Sequence, residues 1–439
     1  MTAFSSPLAE SLASGLVERF EKYVRINTQA VHDRTQSPSS PGQLELGRLL
    51  MDELKQIGLA DAAIDGNGYV MATLEATQPD APTIGLIAHL DVSPDAPANR
   101  VEPIVHRNYD GRALKLPKAG TVLDPQEMPD LAAKVGEDII TASGDTLLGA
   151  DDKAGIAEIM AALAYLADHP ELPRPRLRVA FTPDEEIALG VALFDVAKFG
   201  ALCAYTIDGS ALGELQDETF TACEVSVAVT GVGGHPGYGT GKLVNAARLA
   251  ARIVAALPSD TLTPETTAGR EGFIYINEVM ATASEATIRA MVRDFEDDLL
   301  AEHVALLRRT AGEVVSTEPR AHLTIDVKPQ YPNMRRYLEA IPQAVTAADR
   351  AIRAEGITPI RNPIRGGTDG SRLSEMGLPT PNIFAGGHEF HSIREWVSIQ
   401  DMAAAAAVIV HLARFWAEPE ASLGASITSR SPGPAKRGP

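Results

Sequence analysis

Five short clusters of carboxylate and imidazole side chains are spread along the chain between residues 89 and 391. They are His89 with Asp91, Asp151 with Asp152, the triplet Asp184, Glu185 and Glu186, Asp208, and His391. Histidine and carboxylate ligands without cysteine suit zinc, cobalt or manganese. More than four candidate ligands allow two metal ions that share a bridging carboxylate.

Each cluster taken alone has an ordinary structural explanation. A histidine at a strand end is more often a surface residue than a ligand, Asp151 or Asp152 can cap the helix that follows, and Asp208 precedes glycine in a common turn dipeptide. The argument for metal rests on their convergence. Every cluster is predicted to end a separate strand of one sheet, and the ordinary explanations do not account for that coincidence.

The two neighbouring glutamates can take different roles. The side chains of Glu185 and Glu186 diverge, so one can bind metal while the other stays free of it. A carboxylate beside a metal-activated water can take its proton as the water attacks a carbonyl, and can then return the proton to the leaving amine. His89 and Asp91 are two apart and face the same way on a strand, so Asp91 can accept the second N–H of the imidazole.

The segments around the clusters predict alternating strands and helices. The nearly continuous apolar run 83–90 predicts a strand buried on both faces of a mainly parallel sheet. Further strands are expected to end near Thr182 and Asp208, and an Ala-rich helix is expected from Lys153. Sites in such α/β layers lie beyond the carboxyl ends of the strands, where the clusters fall.

Between residues 220 and 332 the pattern changes to strand, helix, two strands, helix and strand. This β-α-β-β-α-β order predicts a ferredoxin-like domain inserted into the first one. The catalytic domain is then residues 1–219 with 333–417, and the Ser-, Pro- and Gly-rich residues 418–439 are predicted to be a disordered tail. The elements expected after the insertion are a helix at 337–355, a Gly-rich turn at 365–370, a strand at 380–384 and a last helix at 400–416.

Composition restricts the partners. The 439 residues carry a formal net charge of -19 at pH 7, which opposes nucleic acid because phosphate binding depends on clustered Lys and Arg. Cys203 and Cys223 form no Cys-x-x-Cys pair, which indicates a reducing compartment. The chain shows no leader pattern and no run of about 18 apolar residues, so we expect a soluble cytoplasmic protein that binds neither nucleic acid nor membrane.

A family resemblance is carried, in this order, by the segments AHLDVSPDAP, LLGADDKAG, AFTPDEE, AYTIDG, HPG, IRGGTDGSRLS and the final His391. They resemble the tripeptide aminopeptidase (peptidase T) group of the dinuclear zinc exopeptidases, over essentially all of residues 20–415. The resemblance implies a mixed sheet flanked by helices, with the ferredoxin-like α+β domain as a lid that closes over a short peptide. It implies two zinc ions, for which cobalt or manganese can substitute.

The resemblance also implies roles for single residues. Asp91 would orient His89, and Glu185 would be the general base. The implied metal ligands form two groups that share a bridging Asp151: His89, Asp151 and Asp208 for one zinc ion, and Asp151, Glu186 and His391 for the other.

Three residues are candidates for substrate contact. His235, in the segment GHPG, matches a position that helps to polarise the scissile carbonyl, although a simple turn histidine is the alternative. Asn245 and Arg365 match positions that hold the peptide backbone or its terminal carboxylate. The planar fork of an arginine suits a carboxylate, and a structural ion pair is the alternative.

Two other functions stay open. The first is a metal-dependent amidohydrolase or carboxypeptidase of the same superfamily, acting on acylated amino acids with the same metals. The second is a metal-storing or peptide-binding protein without turnover, against which the presence of Glu185 argues. The inserted domain offers a sheet edge that can pair with a second subunit, which favours a homodimer.

Overall fold

The computed structural model describes residues 4–32 and 36–418. Apart from Glu418, the predicted tail lies outside the described residues. Two units are distinguished by their internal contacts. The first contains the described residues of Met1–Leu215, Ile341–Ile360 and Asn382–Pro439, and the second contains Gln216–Ala340 and Arg361–Pro381.

The secondary structure alternates along most of the chain. The helices are α1 (Pro7–Val24), α2 (Pro41–Ile57), α3 (Pro129–Ala132), α4 (Ala150–Asp168), α5 (Val196–Phe199), α6 (Ala246–Ala256), α7 (Asp297–Ser316), α8 (Arg335–Leu338), α9 (Pro342–Ala354), α10 (Asp369–Glu375) and α11 (Ile399–Trp416). The strands are β1 (Ala63–Ile64), β2 (Val70–Leu74), β3 (Ile84–His89), β4 (Ile104–His106), β5 (Leu114–Lys115), β6 (Val122–Leu123), β7 (Ile139–Thr141), β8 (Leu177–Thr182), β9 (Cys203–Gly209), β10 (Leu215–Gln216), β11 (Thr221–Thr230), β12 (Phe273–Ala281), β13 (Glu285–Asp294), β14 (His322–Tyr331), β15 (Asn382–Phe384), β16 (Gly387–His388) and β17 (Trp396–Ser398). Of the helices described, none combines the length and apolar character needed to cross a membrane.

The first unit is built on a seven-stranded mixed sheet in the order β1-β2-β8-β3-β9-β15-β10. The central pairs β8–β3, β3–β9 and β9–β15 are parallel, whereas β1 and β2 run antiparallel at one edge. Every residue of β3 is buried, as the unbroken apolar run predicts for a strand covered on both faces. The predicted fold class, a mixed α/β sheet flanked by helices, is confirmed.

Small residues allow the helices of this unit to approach each other and the sheet closely. Helix α4 packs against α1, α11, β3 and β9, and a Cβ atom added at Gly155 would lie 1.9 Å from the carbonyl oxygen of Ile207. Helix α11 buries the alanines at 403–407 completely or nearly so. The Ala-rich composition of both helices therefore reflects close packing.

The second unit has the predicted β-α-β-β-α-β order of elements. Its sheet has the order β12-β13-β11-β14, and each neighbouring pair is antiparallel. Alternate residues of β11, Val225, Val227 and Val229, are buried in a core that includes Leu249 of α6 and Leu307 of α7. This alternation is typical of a sheet with one face covered by helices.

The structure differs from the expected elements in the segment that follows the inserted domain. The prediction of a single helix at 337–355 is wrong, because α8 ends at Leu338 and α9 begins at Pro342. A helix tolerates proline only in its first turn, so Pro342 begins a new helix. Residues 361–381, expected in the catalytic domain, have their contacts within the second unit. Within that unit, Ile364 forms an isolated parallel β-bridge with Thr219.

Gly155 provides a test of the close helix–sheet packing. Gly155→Ala should lower the free energy of unfolding by about 1–3 kcal/mol, because the added methyl group meets a fixed backbone carbonyl. The matched control is Gly312→Ala in α7, where an added Cβ would meet nothing within 4 Å. Gly312→Ala should raise the free energy of unfolding by about 0.5–1 kcal/mol, because alanine has a higher helix propensity than glycine. Thermal denaturation of both variants measures the difference, and equal effects would contradict the packing argument.

Candidate metal centre

Three of the five clusters lie at the carboxyl ends of adjacent strands. His89 is the last residue of β3, Glu186 lies in a 3₁₀ turn just after β8, and Asp208 is near the end of β9. The expectation that all five clusters end strands of one sheet is wrong. Asp151 lies in the first turn of α4, and His391 lies in a loop between β16 and β17 of a separate four-stranded sheet.

The side chains nevertheless meet in two groups that share Asp151. In the first group, His89 Nε2 lies 2.8 Å from Asp151 Oδ1 and 3.6 Å from Asp208 Oδ1. In the second, His391 Nε2 lies 3.2 Å from Asp151 Oδ2 and 2.8 Å from Glu186 Oε2. The two oxygens of Asp151 therefore face different groups. Within each group the potential ligand atoms lie within 4.8 Å of one another.

The donors fit divalent cations. Each group offers one imidazole nitrogen and carboxylate oxygens, the ligand types that zinc, cobalt and manganese accept. The side chain of Glu186 is only 3% exposed, and its Oε1 is buried without a hydrogen-bond partner in the described part of the chain. A buried carboxylate oxygen needs a partner, and a cation supplies one.

The electrostatics of the cluster show how protons compensate for its negative charge. Hydrogen bonds that His391 donates to the carboxylates of Asp151 and Glu186 raise the pKa of this histidine to about 11. Burial raises the pKa of Glu186 to about 8 and that of Asp208 to about 6. Burial opposes the charged form of His89, but its hydrogen bonds to three aspartates outweigh that effect and raise its pKa. Bound cations would replace these protons.

Asp91 joins the first histidine to the glutamate turn. The Asp91 Oδ1 lies 3.4 Å from His89 Nδ1, and the Asp91 backbone oxygen lies 3.1 Å from the same nitrogen. The carboxylate also accepts the backbone N–H groups of Glu185 and Glu186, each at 3.0 Å. One fully buried side chain therefore contacts two of the segments that carry the clusters.

Sequence reasoning missed three residues that hold the site segments. Asn382 Oδ1 accepts the backbone N–H of Asp208 at 3.1 Å, and the Gln43 side chain exchanges hydrogen bonds with Asp184. Glu395 accepts backbone N–H groups next to Asp151, while burial raises its pKa to about 7. No sequence pattern marks them, because most of the partners are backbone groups far away in the chain.

The substrate candidates lie in the second unit. His235 is exposed, and its Nδ1 accepts the N–H of Gly237 at 3.2 Å. Asn245 caps α6 by accepting the N–H of Arg248 at 3.0 Å. The guanidinium of Arg365 donates to backbone oxygens of residues 269 and 271 at 2.9 and 2.8 Å, and none of its described contacts is a carboxylate.

The α/β fold and the two ligand groups that share Asp151 define a protein that can hold a pair of metal ions. Residues 148–414 match the model of the peptidase family M20/M25/M40. The chain belongs to this family.

Individual relatives cover nearly the whole chain. Peptidase T of Bacillus velezensis is 45% identical over 405 residues, which are 92% of this chain and 98% of that protein. Aminopeptidase PepT from Bacillus cereus shares the fold with a TM-score of 0.72 at 22% identity, and the match covers 92% of this chain and 99% of that one. A tripeptidase from Staphylococcus aureus matches with a TM-score of 0.72 at 21% identity, covering 92% and 98%.

Metal binding should release protons. Since His391 has a pKa of about 11 and Glu186 of about 8 in the metal-free site, both hold protons at pH 7 that a bound cation must displace. We expect net proton release when zinc is added at pH 7, and weaker binding as the pH falls.

Calorimetry in buffers of different ionisation enthalpy counts the protons. Zinc binding to the His391→Ala variant should release fewer protons than zinc binding to the unaltered protein. The control His169→Ala removes a histidine that lies outside both ligand groups and should leave the count unchanged. Zinc binding without proton release would contradict the assignment.

Proposed function

We propose that this chain is a metal-dependent aminopeptidase that releases the N-terminal residue from short peptides, above all tripeptides. The observation that carries the proposal is the pair of ligand groups joined at Asp151, beside the turn that bears Glu185. The name of the relative that is 45% identical, peptidase T, points to the same activity. We propose zinc as the occupant of both groups, with cobalt or manganese as substitutes, because nitrogen and oxygen donors accept all three.

The chemistry needs a base that is not itself a ligand. Bound ions would lower the pKa of an attacking water and polarise the scissile carbonyl. Among the described residues neither ligand group includes Glu185, although Asp91 fixes its backbone beside them. We assign Glu185 to take the proton from the attacking water and to pass it to the leaving amine. Asp91 orients His89 through the contacts to Nδ1.

Recognition of the far end of the peptide is assigned to the second unit. Arg293 and Arg365 both contact the ring of Phe273, and none of their described contacts is a carboxylate. The buried Arg293 Nε and Tyr331 hydroxyl have no hydrogen-bond partner among the residues that the structure describes. Such unmatched donors suit a carboxylate, so we propose that Arg365 and this neighbourhood receive the peptide C-terminus. We keep His235 and Asn245 as contacts to the scissile carbonyl and the peptide backbone.

An amidohydrolase acting on acylated amino acids is the second candidate. It would use the same metals and base, and it differs in requiring a blocked amino group. The whole-length similarity to peptidase T favours the aminopeptidase. The substrate itself decides between the two, because only the aminopeptidase has to pair a charged α-amino group.

We also propose that the protein forms a homodimer and is located in the cytoplasm. Strands β12 and β14 are the edges of the second unit's sheet, and β12 exposes Val279 and Met280. An apolar edge of this kind can pair with a second copy, which supports a homodimer. The free, buried thiols of Cys203 and Cys223 support a reducing, cytoplasmic location.

Substitution of the two adjacent glutamates should separate chemistry from binding. Glu185→Gln should keep its metal and lower kcat by about 10²–10⁴-fold, the usual contribution of a general base. Glu186→Gln should lose metal, because it removes a ligand charge. Metal analysis and steady-state kinetics on both variants test the assignment, which would be wrong if the two effects were interchanged.

A panel of blocked peptides should identify the substrate class. A free tripeptide should be cleaved fast, and its N-acetyl form hardly at all, because a buried charged site rejects a neutralised partner. C-terminal amidation should weaken cleavage less completely, and a ten-residue peptide should be a poor substrate. Rapid hydrolysis of the acetylated peptide would favour the amidohydrolase instead.

A further inference from the structure

Glu395 lies in the same loop region as His391, immediately before β17. It is 2% exposed, and its carboxylate accepts hydrogen bonds from backbone groups more than 240 residues earlier in the chain. Its Oε2 accepts the N–H groups of Leu148 and Gly149, both at 2.7 Å. Its Oε1 accepts the N–H of Asp151 at 3.0 Å.

The three N–H groups belong to the turn that leads into α4. The backbone of this turn is irregular, because Gly149 has a left-handed φ of 84° and Asp151 and Asp152 have non-helical φ and ψ angles. Such N–H groups cannot be satisfied inside a regular helix, yet buried donors need acceptors. A carboxylate that accepts several short N–H bonds is a strong acceptor, so Glu395 fixes this turn.

Glu395 also influences the distance between two of the metal ligands. Asp151 is in the turn that Glu395 binds, and His391 is four residues before Glu395 in the chain. The two ligands belong to the same group, with His391 Nε2 3.2 Å from Asp151 Oδ2. The side chain of Glu395 therefore links the turn that carries Asp151 to the loop that carries His391.

Asp151 belongs to both groups, but the other two ligands of the first group have supports of their own, whereas His391 belongs to the second group alone. His89 is held through Asp91, and the backbone of Asp208 through Asn382. Neither of these supports involves Glu395. Loss of the Glu395 carboxylate should therefore disturb the second group more than the first.

We propose that Glu395 is a positioning residue for the second metal pocket, holding the Asp151 turn and the His391 loop at the separation that a cation requires. The inference rests on the proposed function only in that both groups bind metal. Residues that orient metal ligands typically contribute about 10–100-fold to metal affinity. A purely structural role would instead lower stability and leave metal affinity unchanged.

The test is zinc titration of the metal-free full-length protein, followed by calorimetry and competition with a chelator. Glu395→Gln should bind the first zinc ion with an affinity within about tenfold of the unaltered protein and the second at least about tenfold more weakly. Glu158→Gln is the matched control, because Glu158 is also fully buried and lies on α4, but has no hydrogen-bond partner at either oxygen. It should leave both affinities unchanged.

A second variant distinguishes a loss of metal affinity from a loss of folding. Glu395→Asp keeps the charge but shortens the reach, and should give a smaller loss at the second site, with the melting temperature of each metal-free variant measured in parallel. Unchanged zinc affinities in a folded Glu395 variant, or equal losses at both sites, would overturn the proposal. Binding of fewer than two zinc ions by the unaltered protein would instead count against the proposed function.

Discussion

The structure of the site depends on one carboxylate that is shared between two histidines. Asp151 points one oxygen at His89 and the other at His391, and these histidines come from segments about 300 residues apart in the chain. A carboxylate can do this only if its backbone is fixed, because a rotation that improves one contact lengthens the other. The non-helical backbone at the start of α4 and the close approach of Gly155 to β9 both follow from placing this residue over the strand ends.

A second constraint is the concentration of negative charge. Asp151, Glu186 and Asp208 lie in one cluster. Burial raises the pKa of Glu186 and of Asp208, and the nearby negative charge of Asp151 raises both further. Such a cluster is costly to fold without protons or cations. Asp91 contributes by receiving two backbone N–H groups and facing an imidazole, so that its own charge is compensated within the protein.

The sequence predicted the regular part of the fold better than the supports of the site. The strand at 177–182 and the β-α-β-β-α-β order followed from apolar runs, whose spacing is a local property. The ligand candidates followed from side-chain chemistry. In contrast, the prediction of one helix at 337–355 overlooked Pro342, which a helix tolerates only in its first turn. The role of Glu395 was not visible because backbone N–H groups carry no residue-type signal. The meeting of Asp151, at the start of a helix, with His391, in a loop, depends on tertiary contacts that no local pattern encodes.

The two units differ in the charged side chains that they leave for a ligand. The first unit gathers carboxylates around the ligand groups, which suits a cationic α-amino group as well as metal. The second unit places Arg293 and Arg365 in one neighbourhood without a carboxylate among their described contacts, in a chain whose net charge is -19. The described hydrogen bonds of these two guanidinium groups to oxygen atoms go to backbone oxygens and one threonine hydroxyl, so their positive charges are not neutralised by a described side chain. A free peptide carries a cationic amino group at one end and an anionic carboxylate at the other. The carboxylates of the first unit are complementary to the amino group, and the guanidinium groups of the second unit are complementary to the carboxylate, so each unit by itself offers charges that suit one kind of peptide terminus.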